Sequence, residues 1–175
     1  MSRTATYSLI ASHTVPSAAA SYTFSSIPGT FTDLVLVGNF ALASASNSFN
    51  VQFNTDTSGA STNYSQTTLY GNGTAAGSAR SSSRSNIQVS YYVTASGTLG
   101  ESTLIVNFPD YSNSTTYKTT LARMNRASAN NFPGTEADVG LWRNTAAITD
   151  IKLFAVANIV AGSTFKLYGI EAGSN

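Results

Sequence analysis

Residues 27–40 have the sequence IPGTFTDLVLVGNF, which combines a turn signal with an apolar run. The Pro28-Gly29 step favours a turn, because proline presets φ and glycine accepts φ > 0. The apolar run Leu34–Val37 follows Asp33 and is too short for a helix with its own caps. A short apolar run bounded by turn residues is typical of a strand buried on both faces. We therefore predict a central β-strand here.

The same pattern returns near the C-terminus, where residues 148–156 have the sequence ITDIKLFAV. Both stretches place an apolar strand directly after a Thr-Asp pair. Two such copies predict two equivalent central strands in the middle of a β-sandwich.

Around these strands, short segments such as Phe49–Asn54 alternate apolar and polar residues, which is the period of a half-exposed strand. About ten such segments at regular spacing, with almost no helix, are typical of a sandwich or jelly roll. We predict an all-β, jelly-roll-like antiparallel β-sandwich that forms a single domain over residues 1–175. Its predicted core positions are Leu34, Leu36, Val51, Phe53, Leu104, Val106, Leu153, Val156, Phe165 and Leu167.

Two segments lack the apolar pattern of a strand. Gly71–Ser85 consists mostly of Gly, Ala and Ser, and Asn125–Thr135 contains Pro133-Gly134. We predict long loops near 71–85 and 125–135, which are mobile unless a neighbouring molecule orders them.

The composition combines a real core with an unusually uncharged surface. Hydrophobic residues make up 42% of the chain, whereas charged residues make up 10%, against about 25% in an average soluble domain. So few charges protect a monomer poorly against self-association, which favours an assembly. The net charge of +1 gives no electrostatic reason to expect binding to nucleic acid or to a membrane.

The absence of cysteine excludes disulfides, thiolate chemistry and the usual structural zinc sites. The N-terminal residues carry no apolar signal-peptide core, and no apolar run approaches transmembrane length. We expect a soluble product that is made in the cytoplasm.

Residue counts leave little room for an active site. The only histidine, His13, follows a predicted edge strand, so a Ser-His-Asp triad would have to recruit it across the fold. Glu136 and Asp138 form the one close acidic pair that could suggest glycoside hydrolysis by paired carboxylates. Solvated loop charges are the favoured interpretation of this pair. We expect no enzymatic activity and no catalytic residue.

Asn54 and Asp56 could offer oxygen ligands to calcium in a turn. No further carboxylates follow at a recognisable spacing, so a local side-chain-to-backbone turn is favoured. We expect neither a metal site nor a cofactor.

Five basic residues are candidates for contacts with a partner or with another subunit. Arg80 and Arg84 lie in the Ser-rich segment, whereas Lys118, Arg123 and Arg126 form the densest basic group. A solvated strand edge is an equally good explanation of this second group.

Aromatic residues raise the question of sugar binding. Trp142 follows Val139–Leu141, where packing in the core or in an interface is the first interpretation, and Tyr111 lies next to a turn, where exposure is expected. In the alternative hypothesis these two residues contact a glycan.

Several stretches resemble small virion structural proteins of tailed bacteriophages and prophages. Residues 24–34 (FSSIPGTFTDL) are similar to their F-x-x-I-P-x-T-[YF]-x-x-L segment. Three further stretches, which occur in the same order, are FNTD, NYS and LYG within 53–71, PDYSNSTTYKT at 109–119, and AGSTFKLYGI at 161–170.

This resemblance implies a non-enzymatic β-sandwich component of the virion. The expected role is a capsid decoration (cement) protein that binds the outer head surface and stabilises it. The expected partners are the chain itself, as a homotrimer by analogy with phage decoration proteins, and the major capsid protein or another virion protein. The alternative is a head-fibre, tail-fibre, adaptor or receptor-binding module that recognises a host surface glycan.

Overall fold

The computed structural model describes residues 6–44, 48–56, 62–90, 99, 102–128 and 131–171. Within these residues the chain forms twelve β-strands. The strands are β1 (Tyr7–Thr14), β2 (Ala19–Phe24), β3 (Asp33–Phe40), β4 (Phe49–Phe53), β5 (Tyr64–Gly71), β6 (Ala76–Arg84), β7 (Ile87–Ser90), β8 (Ser102–Pro109), β9 (Lys118–Ser128), β10 (Asn131–Trp142), β11 (Ile151–Ile159) and β12 (Thr164–Ile170).

The strands form two antiparallel sheets. The larger has eight strands in the order β1-β12-β3-β8-β9-β10-β5-β6, and the smaller has four in the order β2-β11-β4-β7. The pairing is nested, because the first strand lies beside the last and the second beside the eleventh. The predicted antiparallel β-sandwich is confirmed, and the finer jelly-roll topology stays a prediction.

Both Thr-Asp stretches form interior strands, as the sequence predicts. Strand β3 lies between β12 and β8, and β11 lies between β2 and β4. Leu34, Val35 and Leu36 of β3 are all buried, so this strand is covered on both faces. Its entry is fixed by Asp33, whose carboxylate accepts a hydrogen bond from the backbone N–H of Asp110 at 2.8 Å.

Every predicted core position except Val156 is buried in the apolar core between the sheets. Val156 is 91% exposed, so that prediction is wrong. Successive side chains of a strand point to opposite faces. Leu153 and Val156 are three residues apart in β11, and they therefore cannot both point inward.

The predicted loop at 71–85 is also wrong, because most of it is strand β6, which pairs with β5 as a hairpin. The turn is closed by Asn72, whose side-chain oxygen accepts from the backbone N–H groups of Thr74 and Ala75. Gly73 has φ +87° there, a conformation that suits glycine. Most β6 side chains are exposed or half-buried, so no apolar alternation marks this edge strand in the sequence.

The predicted loop at 125–135 is wrong as well, since its described residues belong to the paired ends of β9 and β10. Asn125 pairs with Thr135, and Arg126 pairs with Gly134. A register shift follows between Gly134 and Asn131. Gly134 therefore lies within a strand here and not in a long loop.

Candidate interaction surface

The side of the eight-stranded sheet that faces away from the small sheet carries exposed apolar residues in neighbouring positions. One row across the strands runs through Leu121, Val139, Thr67 and Arg80. The adjacent row runs through Lys166, Val37, Ile105, Arg123, Ala137 and Leu69. We call this surface the outer sheet face. Its exposed large apolar and basic members are Tyr7, Leu9, Leu69, Arg80, Leu121, Arg123, Val139 and Lys166, and exposed Thr and Asn side chains such as Thr67 and Asn125 lie among them.

The apolar exposure on the outer sheet face is concentrated in adjacent strands. Leu69 is 60% exposed, Val139 is 52% exposed, and Leu121, which pairs directly with Val139, is 44% exposed. Single exposed apolar residues are normal, but neighbouring ones on one face indicate an interaction site. Further along the face, Tyr7 packs edge-on against Tyr168, at 6.3 Å between ring centroids. The outer sheet face is therefore the strongest candidate for a binding surface.

Of the five predicted contact residues, Arg80 and Arg123 lie on this face and are exposed. Lys118 does not, because it is 1% exposed and points into the sandwich. Its ammonium donates to the carbonyl oxygens of Thr116 at 2.7 Å and Thr145 at 3.0 Å. Burial lowers the pKa of Lys118, and the nearby Asp110 carboxylate opposes this change. Lys118 is a structural residue, and its prediction as a contact residue is wrong.

Arg84 and Arg126 lie on the opposite side of their strands from the outer sheet face. Arg84 pairs with the buried Tyr64, and Arg126 pairs with the buried Ser102. Both arginines are half-buried, and burial lowers the pKa of Arg84. The five basic residues therefore do not form a single surface.

Lys166 is the contact candidate that sequence reasoning missed. It is exposed on β12 between the buried residues Phe165 and Leu167. That alternation indicates an outward side chain from sequence alone. The row that joins Lys166 to Arg123 depends on strand order, which the alternation does not reveal.

Trp142 is fully buried, which confirms the first interpretation, packing in the core, and shows that the alternative prediction of glycan contact is wrong. Its ring stacks on Tyr64 and packs against Phe53, with centroid distances of 6.2 Å and 5.4 Å. The indole N–H donates to the carboxylate of Asp56 at 2.7 Å. Trp142 is therefore a core aromatic residue whose polar atom has a partner inside the fold.

Tyr111 is also fully buried, and the predictions of exposure and of glycan contact are wrong for it too. Its hydroxyl donates to the carbonyl oxygen of Pro28, and its own carbonyl accepts from the N–H of Ile148 at 2.9 Å. Burial raises the pKa of Tyr111. The residue thus joins the turn after β8 to the turn before β3.

The burial of Trp142 gives a direct test, because it is the only tryptophan in the chain. We expect a blue-shifted emission that iodide quenches at least about fivefold less than free tryptophan amide, since the ring is closed to solvent. Saccharides should leave the spectrum unchanged. Emission near the free-indole maximum in the folded protein would contradict the packing described above.

The Glu136–Asp138 pair lies in strand β10 and not in a solvated loop, so the favoured interpretation of this pair is wrong. Glu136 is 6% exposed and Asp138 is 0% exposed. One carboxylate oxygen of Asp138 accepts a hydrogen bond from the hydroxyl of Thr68, and the other has no hydrogen-bond partner. A fully covered carboxyl is closed to a polysaccharide chain, so the geometry gives no support to glycoside hydrolysis.

The environment of Asp138 raises its pKa to about 7. Desolvation by burial is the largest cause, the hydrogen bond from Thr68 opposes it, and the charge of Glu136 adds to it. In the same cross-strand row, Leu36, Val106 and Ala122 are apolar, and Asp138 and Thr68 follow on β10 and β5. The inner face of the large sheet therefore becomes polar toward β10 and β5.

Asn54 and Asp56 serve the fold. The side-chain oxygen of Asn54 accepts from the N–H groups of Thr149 and Asp150, at 2.8 Å and 3.1 Å. The Asp56 carboxylate accepts from Asn63 as well as from Trp142. In the part of the chain that the structure describes, no three acidic, histidine or cysteine residues lie close enough to hold a metal ion.

Among the described residues, no helix is long and apolar enough to span a membrane. The chain matches no protein-family model and no curated protein. It is similar to a crystal structure of a protein of unknown function from Shewanella oneidensis MR-1, with 10% identity over 97% of this chain and 77% of that chain. The TM-score of this match is 0.27, which is too low to support an argument about fold or function.

Proposed function

We propose that this chain is a non-enzymatic virion structural protein, a capsid decoration protein that docks on the outer head surface through its outer sheet face. The observation that carries the proposal is the cluster of exposed apolar residues on that face, with Leu121 beside Val139 and Leu69 in the adjacent row. The sequence resemblance to phage virion proteins supplies the class of partner.

Docking of this kind stabilises a particle without any catalysis. A protein that binds an assembled shell and not its dissociated subunits shifts the equilibrium toward the intact shell by mass action. The low charge content favours self-association in addition, and we propose that the bound form is a homotrimer.

The proposed contact surface differs from the expected one. The sequence predicts loops at 71–85 and 125–135 that a partner orders, but β6 and the ends of β9 and β10 are already paired within the chain. A broad sheet face with exposed Leu69 and Val139 is the better candidate for the contact.

Electron microscopy and mass spectrometry of the virions produced with this gene will test the proposal. We expect hundreds of copies on the head, grouped in threes, and a particle that loses heat and osmotic resistance when the gene is deleted. Six to eighteen copies at the tail would instead place the protein among fibre or adaptor proteins. Unchanged particle resistance after deletion would contradict the stabilising role.

A further inference from the structure

The outer sheet face carries three exposed cations at regular intervals. Arg80 is on β6, Arg123 on β9 and Lys166 on β12, so two strands lie between each neighbouring pair. With strands about 4.8 Å apart, neighbouring cations are separated by about 14 Å across the sheet. Arg123 and Lys166 share one row, and Arg80 lies in the row next to it.

Acidic residues are nearly missing from the same face. Among the described strand residues that point outward from this sheet, Asp33 is the one acid, and its carboxylate accepts the backbone N–H of Asp110. Glu136 and Asp138 point inward and are buried. The charge of this face is therefore positive, although the net charge of the whole chain is only +1.

This charge pattern distinguishes between possible binding partners of the outer sheet face. A second copy docking by the same face would bring cations against cations, which is unfavourable. Nucleic acid presents a dense row of phosphates, whereas this face has only three cations, about 14 Å apart, with the exposed apolar side chains of Leu121 and Val139 between them. A protein surface with scattered carboxylates matches both the wide spacing of the cations and the exposed apolar side chains between them.

The size of the face fits a protein partner. Eight strands span about 34 Å, and about 20 Å of strand length is available, giving a footprint of about 700 Å². Each partner in a standard interface buries about 800 Å². A shallow depression lined by Leu69, Arg123, Thr135 and Ala137 could accommodate one side chain of the partner; Glu136, which is only 6% exposed, also contributes to its lining.

We infer that the outer sheet face binds a protein surface with an apolar centre and with carboxylates placed opposite Arg80, Arg123 and Lys166. This names the partner chemistry of the proposed docking and rests on that proposed function. Charge-assisted contacts from arginine to carboxylate give geometric specificity. The exposed leucine and valine side chains supply the apolar area that becomes buried.

The chain has three lysines, which makes a zero-length carbodiimide cross-link informative. Lys166 is on the outer sheet face, Lys152 is on β11 of the other sheet, and Lys118 is buried. The probe is a soluble glutamate–tyrosine copolymer, which offers carboxylates beside apolar rings, with a lysine–tyrosine copolymer as the control polymer. We expect Lys166 to couple to the glutamate copolymer at least about fivefold more than Lys152.

Charge reversal provides the second measurement. We expect the triple variant Arg80→Glu, Arg123→Glu and Lys166→Glu to bind the glutamate–tyrosine copolymer at least about tenfold more weakly, with an unchanged circular dichroism spectrum. Lys152→Glu makes a charge change of the same kind on the other sheet and should alter binding by less than about twofold. Equal coupling of the two lysines, or equal effects of the two variants, would overturn the inference.

The alternative occupants give distinct results. Tighter binding of double-stranded DNA than of the glutamate–tyrosine copolymer, or coupling of Lys166 to a second copy of this chain, would also overturn the inference. Repeating the cross-link on virions distinguishes failure of this inference from failure of the proposed function. Virion-bound protein whose Lys166 couples to nothing refutes the inference alone, whereas absence of the protein from virions, with copolymer binding intact, refutes the proposed function alone.

Discussion

Leu36→Asp is expected to abolish folding. Leu36 is 0% exposed in β3, where its neighbours in the same inner row are Leu167 and Val106. A carboxyl there would be buried without a partner. Protonation limits the cost of the charge, but an unpaired buried polar group costs roughly 2–7 kcal/mol, and the lost leucine packing costs about 2–5 kcal/mol more. Domains of this size have only about 5–15 kcal/mol of stability. Circular dichroism and thermal unfolding should show an unfolded or aggregated chain.

Val37→Asp is the matched control, because Val37 is the next residue and points to the outer sheet face beside Lys166. We expect this variant to fold, since its carboxylate stays hydrated and lies near a cation. Leu36→Ala tests the same site without a charge and should lower the free energy of unfolding by about 2–5 kcal/mol. A folded Leu36→Asp protein with the wild-type melting temperature would contradict the assignment of β3 to the core.

The central strands could be predicted from sequence because their signal is local. In β3 and β11 an apolar run follows a turn, and both strands lie inside their sheets. A second local signal, the alternation of side chains along a strand, explains the error at Val156. Counting from the buried Leu153, alternation places Val156 on the outer side of β11. A strict period of two therefore predicts that Val156 is exposed.

Strand β6 and the β9–β10 ends could not be predicted in this way. The side chains of β6 are mostly small and polar, and its pairing with β5 is between backbones. Such an edge strand needs no apolar face of its own. Composition alone therefore favours a loop, and the hairpin follows from the availability of β5 as a partner.

The chemistry of individual side chains depends on strand order, which the sequence does not reveal. Lys118 can be buried because its side chain points inward and two carbonyl oxygens accept hydrogen bonds from its ammonium group. Trp142 packs against Phe53 and Tyr64, and Asp56, far away in sequence, accepts a hydrogen bond from its buried indole N–H. The outer sheet face likewise joins residues of β6, β9 and β12, whose adjacency no spacing along the chain predicts.

The stability of the protein should fall as the pH rises through the titration of Asp138. Its pKa is about 7 in the folded protein, against 3.8 for the ordinary side chain. The folded state therefore binds more protons than the unfolded state between these values, and stability decreases with pH across that window. The stability that protonated Asp138 contributes is fully present below about pH 4 and is lost as the pH rises through about 7. A shift of this size corresponds to a loss on the order of 4 kcal/mol.

Asp138→Asn should remove most of this pH dependence, because asparagine has nearly the same shape and does not ionise. The measurement is the free energy of unfolding by urea between pH 4 and pH 8, with Glu171→Gln as an exposed control. Asp138→Asn should be the more stable protein at pH 8, by less than the full 4 kcal/mol or so, since its new amide N–H₂ lies where the unpartnered oxygen of Asp138 lies.

Thr68→Val keeps the Asp138 carboxyl but removes its hydrogen-bond donor, whereas Asp138→Asn removes the titrating group itself. The Thr68 hydroxyl is the hydrogen-bond donor that lowers the pKa of Asp138. Its removal should raise that pKa further and move the loss of stability to higher pH. If wild type and Asp138→Asn have parallel stability profiles from pH 4 to pH 8, Asp138 is ionised in the folded protein, and the dry, unpaired environment assigned to it is wrong.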